Sequence, residues 1–319
     1  MIGVVLMAYG TPLSREDVLP YYTDIRRGRP PTEEQLAELI ARYEAIAPDG
    51  GDVLSPLAQR TEAQRDALQR ALDSAAPDTY RVVLGLKHAA PMIELAVEEL
   101  AAAGVRRIAG LVLAPHWSAF SVGQYHGRLR AAAEPHGIEV ATIDSWATEP
   151  AFVDFLATDL RARLATMAAD GVDDVKVLFT AHSLPQRIIA AGDPYPAELR
   201  ATAEAVAAAV GLGAWDRWAI AWQSAGRTPE PWLGPDILQV IDDLAASEND
   251  ASRRRGVVVC ACGFVADHLE VLYDLDLEAA HRAAARGLAF ARTACVNDDP
   301  TALGALARRV LDASAGWAG

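Results

Sequence analysis

Two stretches of the sequence close an apolar run in the same way, one in each half of the chain. They are Leu6-Met7-Ala8-Tyr9-Gly10-Thr11-Pro12 and Phe179-Thr180-Ala181-His182-Ser183-Leu184-Pro185. Ala8 matches Ala181, and Pro12 matches Pro185. A looser second match follows in the same order, between residues 112–119 and 259–266. The repeated order predicts two similar lobes, at about 1–147 and 148–300, with a last helix at about 301–319 packed on the first lobe.

Each lobe is predicted to be α/β and Rossmann-like, a parallel sheet flanked by helices. Runs such as Val4-Val5-Leu6 and Val257-Val258-Val259 are apolar without alternation, which is typical of strands buried on both faces. Segments of helical length separate these runs, as in stacked βαβ units. The predicted strands cover residues 3–9, 80–86, 107–113, 139–143, 175–181, 218–222 and 256–261.

Three helix starts are marked by capping residues. Ser14-Arg15-Glu16-Asp17 and Thr32-Glu33-Glu34-Gln35 both resemble capping boxes, and Ser55-Pro56 places proline at a first helical position. Gly28, followed by Pro30 and Pro31, is expected to end the first helix.

Ligands of open α/β sheets bind beyond the carboxyl ends of the strands. Two facing lobes are therefore expected to form a cleft. The residues predicted to surround it are Tyr9, Lys87, His88, His182, Gln223 and the segment after Gly263.

The charge balance excludes several classes of partner. The chain has 319 residues, 51% apolar and 23% charged, and a formal net charge of −14. Nucleic-acid binding needs a surplus of Lys and Arg, and so does docking on anionic lipid. There is no run long enough for a membrane span and no visible targeting signal. With three cysteines and no disulfide framework, we expect a reduced cytoplasmic protein.

Common cofactor and nucleophile motifs are absent from the sequence. It contains neither a G-x-x-x-x-G-K-[ST] loop nor a G-x-G-x-x-G following a predicted strand, and Gly211-Leu212-Gly213 lacks the third glycine. A G-x-S-x-G elbow is also missing. A nucleotide cofactor and an α/β-hydrolase are therefore both disfavoured.

Three carboxylates recur at a spacing of four residues in the segment 267–278. On one helix, Glu270, Asp274 and Glu278 would lie nearly one above another. Like charges at this spacing disfavour a helix, and partial burial makes the repulsion worse. A path for cations or protons would explain the stripe, and a solvated acidic face is the alternative.

His182 follows a predicted strand and matches Tyr9 in the repeat. It is either a structural residue whose hydrogen bonds are satisfied, or a metal ligand and proton acceptor that faces Glu270. Two such candidates are too few for a permanent structural zinc site, but they fit a metal that is transferred.

A cluster of arginines follows the first predicted helix. Arg26, Arg27 and Arg29 either complement the C-terminus of that helix or bind an acidic ligand, with Arg42 and Tyr43 on the next helix.

Taken together, the motifs resemble those of the ferrochelatase family over nearly the whole chain. They are the Tyr9 stretch, Tyr21-Tyr22-Thr23-Asp24-Ile25-Arg26-Arg27-Gly28-Arg29, Ser55-Pro56-Leu57, Gly85-Leu86-Lys87-His88, the His182 stretch, Trp222-Gln223-Ser224, Pro231-Trp232-Leu233-Gly234-Pro235-Asp236 and Gly263-Phe264-Val265-Ala266-Asp267-His268-Leu269-Glu270. The Ala-Tyr-Gly-Thr-Pro stretch is similar to that of the bacterial branch acting on coproporphyrin III.

This resemblance implies a lyase of haem biosynthesis that inserts Fe2+ into the porphyrin and releases two protons. It implies that His182 and Glu270 are catalytic and face the metal, that Asp274 and Glu278 extend this site, and that Tyr9 approaches from the opposite face as a ligand of the inserted iron. The porphyrin contacts that it implies are Tyr9, Arg26, Arg27, Arg42, Tyr43, Ser55 and Tyr125.

The sequence departs from the family pattern at two places. The loop 47–54 is longer than usual, which puts the Ser55 contact in doubt. Only Cys260, Cys262 and Cys295 are present, too few for a [2Fe–2S] cluster with four thiolates, and Cys260 and Cys262 are expected to share one face of a buried strand. We therefore expect no permanently bound cofactor.

The expected partners are coproporphyrin III and ferrous iron as substrates, and the next enzyme of the haem pathway in a transient hand-over. We expect a monomer. Two other hypotheses stay open. The first is a non-catalytic porphyrin or haem carrier. The second is a chelatase for another metal or tetrapyrrole, with protoporphyrin IX as the ring, or with cobalt or nickel inserted into a sirohydrochlorin-like ring.

Overall fold

A four-stranded parallel sheet lies at the centre of each of two units. The computed structural model describes residues 1–47, 54–213, 217–226, 228–247 and 254–317. The first unit comprises Met1–Trp146, Ala266–Leu269 and Asn297–Gly319, and the second comprises Ala147–Val265 and Glu270–Val296. The second lobe was expected to be continuous from 148 to 300, whereas the structure assigns the short segment Ala266–Leu269 to the first unit.

The strands of the first unit are β1 (Ile2–Ala8), β2 (Tyr80–Leu86), β3 (Arg107–Val112) and β4 (Glu139–Ile143), in the order β2-β1-β3-β4. β1 is buried along its whole length, as its unbroken apolar run predicts. The helices of the first unit are α1 (Val18–Ile25), α2 (Glu33–Ile46), α3 (Leu57–Ala75), α4 (Ile93–Ala102), α5 (Val122–Ala133) and α12 (Pro300–Ala313).

The second unit repeats this arrangement. Its strands are β5 (Asp174–His182), β6 (Trp218–Gln223), β7 (Arg255–Cys260) and β8 (Ala289–Arg292), in the order β6-β5-β7-β8. Its helices are α6 (Pro150–Ala169), α7 (Arg187–Ala190), α8 (Tyr195–Val210), α9 (Ile237–Ala246), α10 (Leu269–Leu272, beginning on the last residue of the first unit's short segment) and α11 (Ala280–Ala285). The predicted pair of parallel α/β sheets is confirmed.

The loops after the second strand of each sheet are also equivalent. Leu86 donates its N–H to the carbonyl of Pro91, and Trp222 donates to Pro235 in the same way. The register places Ala8 beside Leu86 and Ala181 beside Trp222. Tyr9 and His182 therefore occupy equivalent places at the carboxyl ends of the two central strands.

Register corrects the looser second match. Leu6 pairs with Leu111, and its equivalent Phe179 pairs with Cys260. Leu111 is thus the structural counterpart of Cys260, whereas the sequence match had placed Leu113 there. The two segments follow equivalent strands, but their letters align two residues out of step.

The predicted element boundaries were mostly right. β8 was not predicted, because its four half-buried residues have neither an apolar run nor a clear alternation.

The three predicted helix starts differ in outcome. The capping box at Thr32 is confirmed, with Thr32 Oγ1 accepting from Gln35 N and Gln35 Oε1 accepting from Thr32 N. The start predicted at Ser14 is wrong: Ser14 bonds Asp17 in a turn, and the helix begins at Val18. The Ser55 Oγ accepts from Leu57 N at 3.3 Å, and α3 begins one residue after Pro56.

Candidate active site

His182 is the last residue of β5, where the strand reaches the carboxyl edge of its sheet. Its Nδ1 atom lies 3.0 Å from Oε2 of Glu270, at the start of α10. The side chains remain 36% and 33% exposed, respectively. The pair is therefore ordered by its own hydrogen bond and is still accessible to a ligand.

The charges around His182 favour its protonated form. Burial lowers the pKa of His182, but the charge of Glu270, the hydrogen bond to Glu270 and the charge of Asp274 outweigh burial and raise the pKa above its usual value. The imidazole is thus a stronger proton acceptor than a histidine in water.

Backbone contacts from neighbouring elements hold this pair in place. Tyr195, the first residue of α8, donates its hydroxyl to the carbonyl of His182 at 3.0 Å. Gln223 Nε2 donates to the carbonyl of Glu270 at 2.7 Å. The chain after β7 passes so close to β5 that a Cβ on Gly263 would lie 2.3 Å from the Cβ of Ala181. Only glycine fits there without displacing the strand that carries His182.

The segment that carries the three carboxylates was predicted to be one helix, and the structure divides it between a short α-helix and a π-helix. α10 ends at Leu272, and Asp274–Ala279 is a π-helix in which Glu278 N donates to the carbonyl of Tyr273 at 2.9 Å. The hydrogen bonds of a π-helix join residues five apart, so its turn is wider than an α turn, and residues four apart still lie near one face. The three carboxylates differ in burial: Glu270 is half-buried, Asp274 is 5% exposed, and Glu278 is exposed.

Asp274 has a specific partner in the loop after β6. The Ser224 hydroxyl bonds Oδ2 of Asp274, and Ser224 has a left-handed backbone with φ +58°. The hydroxyl is therefore held at the carboxylate by an unusual backbone conformation, so that a nearly buried charge is hydrogen-bonded.

Trp232 lies beside the pair. Its ring centroid is 6.5 Å from that of His182 in an edge-to-face arrangement, and its indole N–H donates to Thr228 Oγ1 at 3.1 Å. A Cβ on Gly226 would lie 2.4 Å from the indole ring. The glycine is what allows the indole to lie against the backbone at this point.

An imidazole and a carboxylate in contact can move a proton and can bind a divalent cation transiently. Among the residues that the structure describes, no three His, Cys, Asp or Glu side chains come together as a set that could hold a metal ion.

The Tyr9 side chain, in the first unit, is 43% exposed and lies just beyond β1. Its ring centroid is 4.5 Å from that of His88, and the ammonium of Lys87 lies 6.0 Å from the Tyr9 ring and 5.1 Å from the Tyr125 ring. Lys87 also donates to Gln124 Oε1 at 2.7 Å. Burial and the charges of Arg128 and Arg27 lower the pKa of Lys87 to about 8.

The other residues predicted to contact the porphyrin lie on several elements of the first unit. Arg26 is half-buried, its guanidinium 5.6 Å from the Tyr22 ring, and Arg27 is exposed with φ +58°. Arg42 is half-buried on α2, Tyr43 packs in a small core with Val18 and Leu54, and Ser55 and Tyr125 are buried. Most of the long loop 47–54 lies outside the described residues.

All three cysteines are buried thiols. Burial and the neighbouring Cys260 raise the pKa of Cys262. The shared strand face predicted for Cys260 and Cys262 is wrong, because β7 ends at Cys260 and Cys262 lies in a tight turn, its N–H donating to the carbonyl of Cys260.

A family model described as ferrochelatase matches residues 1–314. The chain belongs to the ferrochelatase family. It is 44% identical over 312 residues to the coproporphyrin III ferrochelatase of Geobacillus thermodenitrificans, covering 97% of this chain and 95% of that protein. It is 43% identical over 300 residues to a ferrochelatase of Herpetosiphon aurantiacus, covering 93% and 94%.

Solved structures share the fold of this ferrochelatase family member at low identity. SirB from Bacillus subtilis with Fe3+ has a TM-score of 0.56 and 12% identity, covering 99% of this chain and 96% of that chain. CbiX, described as the terminal enzyme for siroheme biosynthesis in denitrifying bacteria, has a TM-score of 0.51 and 13% identity, covering 98% of each. These likenesses concern the fold alone. No helix in the described part of the chain is long and apolar enough to cross a membrane.

Two residues that support this ferrochelatase site are not predictable from the sequence. Tyr195 carries no signal, because a tyrosine at a helix start is commonplace. Ser224 belongs to the Trp222-Gln223-Ser224 motif, but its bond to Asp274 spans 50 positions.

Proposed function

We propose that this chain is a coproporphyrin III ferrochelatase, which inserts Fe2+ into coproporphyrin III and releases two pyrrole protons to give coprohaem. Two lines support the proposal: relatives more than 40% identical along nearly the whole chain carry that description, and His182 contacts Glu270 at the carboxyl end of the central strand. The contact is the observation that carries the chemistry.

His182 takes a pyrrole proton and makes the first protein contact with the metal. With Nδ1 engaged by the Glu270 carboxylate, Nε2 is the ring nitrogen left to accept a proton or bind a cation. Glu270 stabilises the imidazolium that forms. A positioned general base of this kind contributes about 10²–10⁴ in rate.

Asp274 and Glu278 extend the site toward solvent as a path for protons or iron. The exposure of Glu278 and the hydrogen bond that holds the nearly buried Asp274 support this role. Carboxylate oxygens are also suitable transient ligands for a divalent cation that must lose its water shell.

The resemblance to ferrochelatases assigns the remaining porphyrin contacts to residues of the first unit. We propose that Tyr9, exposed at the end of the other central strand, ligates the inserted iron. Propionates and the ring edge contact Arg26, Arg27, Arg42, Tyr43, Ser55 and Tyr125. Binding energy from these remote contacts would hold the ring bent, so that pyrrole lone pairs tilt toward the metal.

The deciding experiment follows visible absorption under anaerobic conditions with ferrous iron and coproporphyrin III, and in parallel with protoporphyrin IX and sirohydrochlorin. We expect metallation of coproporphyrin III well above the spontaneous rate and faster than that of either other ring. Binding without acceleration would instead establish a carrier. Faster metallation of another ring would transfer the proposal to that substrate.

Three further expectations accompany this proposal. No [2Fe–2S] cluster forms with three buried thiols, the chain is a monomer, and coprohaem passes directly to the next enzyme of the pathway. Iron and sulfide analysis, sedimentation, and product transfer in the presence of that enzyme test them in turn.

A further inference from the structure

Asn297 occupies an unusual place in the chain. It is the residue at which the chain returns from the second unit to the first. Its backbone is left-handed, with φ +47°, a conformation that asparagine tolerates better than most other residues. Asn297 has no part in the mechanism proposed above.

The Asn297 side chain forms a reciprocal pair with Asp267. Its Oδ1 accepts from the backbone N–H of Asp267 at 3.0 Å, and its Nδ2 donates to Oδ2 of Asp267 at 2.9 Å. A single amide therefore satisfies both the backbone and the carboxylate of one residue, which fixes that residue in position and in orientation.

The pair is anchored on α3. Gln64, 1% exposed, donates from Nε2 to the carbonyl of Asn297 at 3.0 Å. One turn earlier on the same helix, the guanidinium of Arg60 lies 3.9 Å from Oδ2 of Asp267. Asn297 is thus held through its backbone, and Asp267 through its carboxylate, by the same helix.

Asp267 belongs to the short segment Ala266–Leu269, which the first unit supplies. Within it, His268 bonds the carbonyl of Ala266 through Nδ1 at 2.8 Å, and Leu269 packs against a small core of the first unit. The next residue is Glu270, whose carboxylate contacts His182. The position of Glu270 therefore depends on how this segment is held.

We propose that Asn297 is a positioning residue for Glu270, acting through Asp267. This inference rests on the proposed function, in which Glu270 is the catalytic partner of His182. A displacement of about 1 Å at a reacting group can cost on the order of 10²-fold in rate. We call the two hydrogen bonds between the Asn297 side chain and Asp267 the clamp. Loss of the clamp therefore lowers kcat for metal insertion without weakening porphyrin binding.

The test compares variants that separate backbone from side chain. Asn297→Gly keeps the left-handed backbone accessible and removes the clamp. We expect kcat for iron insertion into coproporphyrin III to fall about 10–100-fold, with KM for the porphyrin and the melting temperature close to wild type. Asp78→Gly, at another left-handed position that is exposed, is the matched control and leaves kcat unchanged.

A swap of the two side chains supplies a rescue that a general loss of stability would not show. Asn297→Asp removes the Nδ2 donor and sets two carboxylates against each other, whereas Asp267→Asn keeps an amide oxygen that can still accept from Asn297 Nδ2. In the double variant the donor lies on residue 267 and the acceptor on residue 297, so the reciprocal pair is restored with the roles exchanged. We expect Asn297→Asp to lose kcat, Asp267→Asn to retain most of it, and the double variant to return to within about threefold of wild type. The proposal is overturned if Asn297→Gly retains kcat, if kcat and porphyrin affinity fall together, if the variants simply unfold, or if the double variant is no better than Asn297→Asp.

His182→Ala, measured in the same assay, separates this proposal from the one beneath it. If wild type does not metallate the porphyrin, or if His182→Ala matches wild type, the proposed function fails. If His182→Ala is inactive while Asn297→Gly is fully active, only the role of Asn297 fails.

Discussion

The Nδ1 atom of His182 and the Oε2 atom of Glu270 are 3.0 Å apart, although 88 positions separate the two residues in the chain. His182 ends the central strand of the second sheet, and Glu270 is the second residue of a short helix that is followed by a π-helix. The first two predictions follow from this contact.

His182→Ala should lower the rate of iron insertion by about 10²–10⁴ while coproporphyrin binding largely survives, because the base is lost and the remote contacts remain. Initial rates by visible absorption and porphyrin affinity by fluorescence quenching measure the two effects. His136→Ala, at an exposed histidine, is the control. Turnover near wild type in His182→Ala would show that the proton acceptor lies elsewhere.

Glu270→Gln should slow turnover more than Glu278→Gln does. Glu270 touches His182, whereas Glu278 is exposed at the far end of the carboxylates and can be bypassed by solvent. The comparison uses initial rates at several iron concentrations. The opposite order would contradict the path through Asp274.

Arg26→Ala should weaken coproporphyrin binding about tenfold and leave the iron dependence unchanged. A hydrogen bond to a charged group is worth about 1.5–3 kcal/mol, and a propionate would lose one such donor. Fluorescence titration measures the affinity. Arg29→Ala tests the alternative role of these arginines at the end of α1; equal losses in both variants would argue against a specific contact.

His126 should make the protein sensitive to acid. Burial, only partly opposed by Asp144, lowers the pKa of His126 to about 4. Below about pH 6.5, His126 binds a proton in the unfolded chain but stays neutral in the folded protein. The free energy of unfolding therefore falls as the pH drops toward 4.

We therefore expect His126→Gln to flatten the pH dependence of urea unfolding between pH 7 and pH 5. His136→Gln, which replaces an exposed histidine, should leave that dependence as it is. Parallel curves for His126→Gln and wild type would mean that this histidine is not the source of the acid sensitivity.

Gly263→Ala should destabilise the protein by about 1–3 kcal/mol or more, as overpacking does. The new Cβ would meet the Cα and Cβ of Ala181 at 2.5 and 2.3 Å, and a backbone atom cannot move aside cheaply. Gly304→Ala has open space in the middle of α12 and should stabilise by about 0.5–1 kcal/mol. Urea midpoints measure both changes; a neutral Gly263→Ala would mean that β5 can shift.

The order of apolar runs was enough to predict the two parallel sheets. Each central strand is buried on both faces, so burial leaves a continuous signal in the letters themselves. β8 could not be predicted, because a four-residue, half-buried strand carries no such signal. Thr32 and Gln35 correctly predicted a helix cap, because that cap forms through local hydrogen bonds. Ser14 makes a similar local bond to Asp17, but in a turn.

The sequence determined by itself where His182, Tyr9 and the carboxylates fall relative to strand ends, because local burial patterns and the internal repeat specify them. The folded structure added the direct contact between His182 Nδ1 and Glu270 Oε2 and the bond from Ser224 to Asp274. Those contacts join positions tens of residues apart, and they depend on packing distances that no spacing of letters encodes.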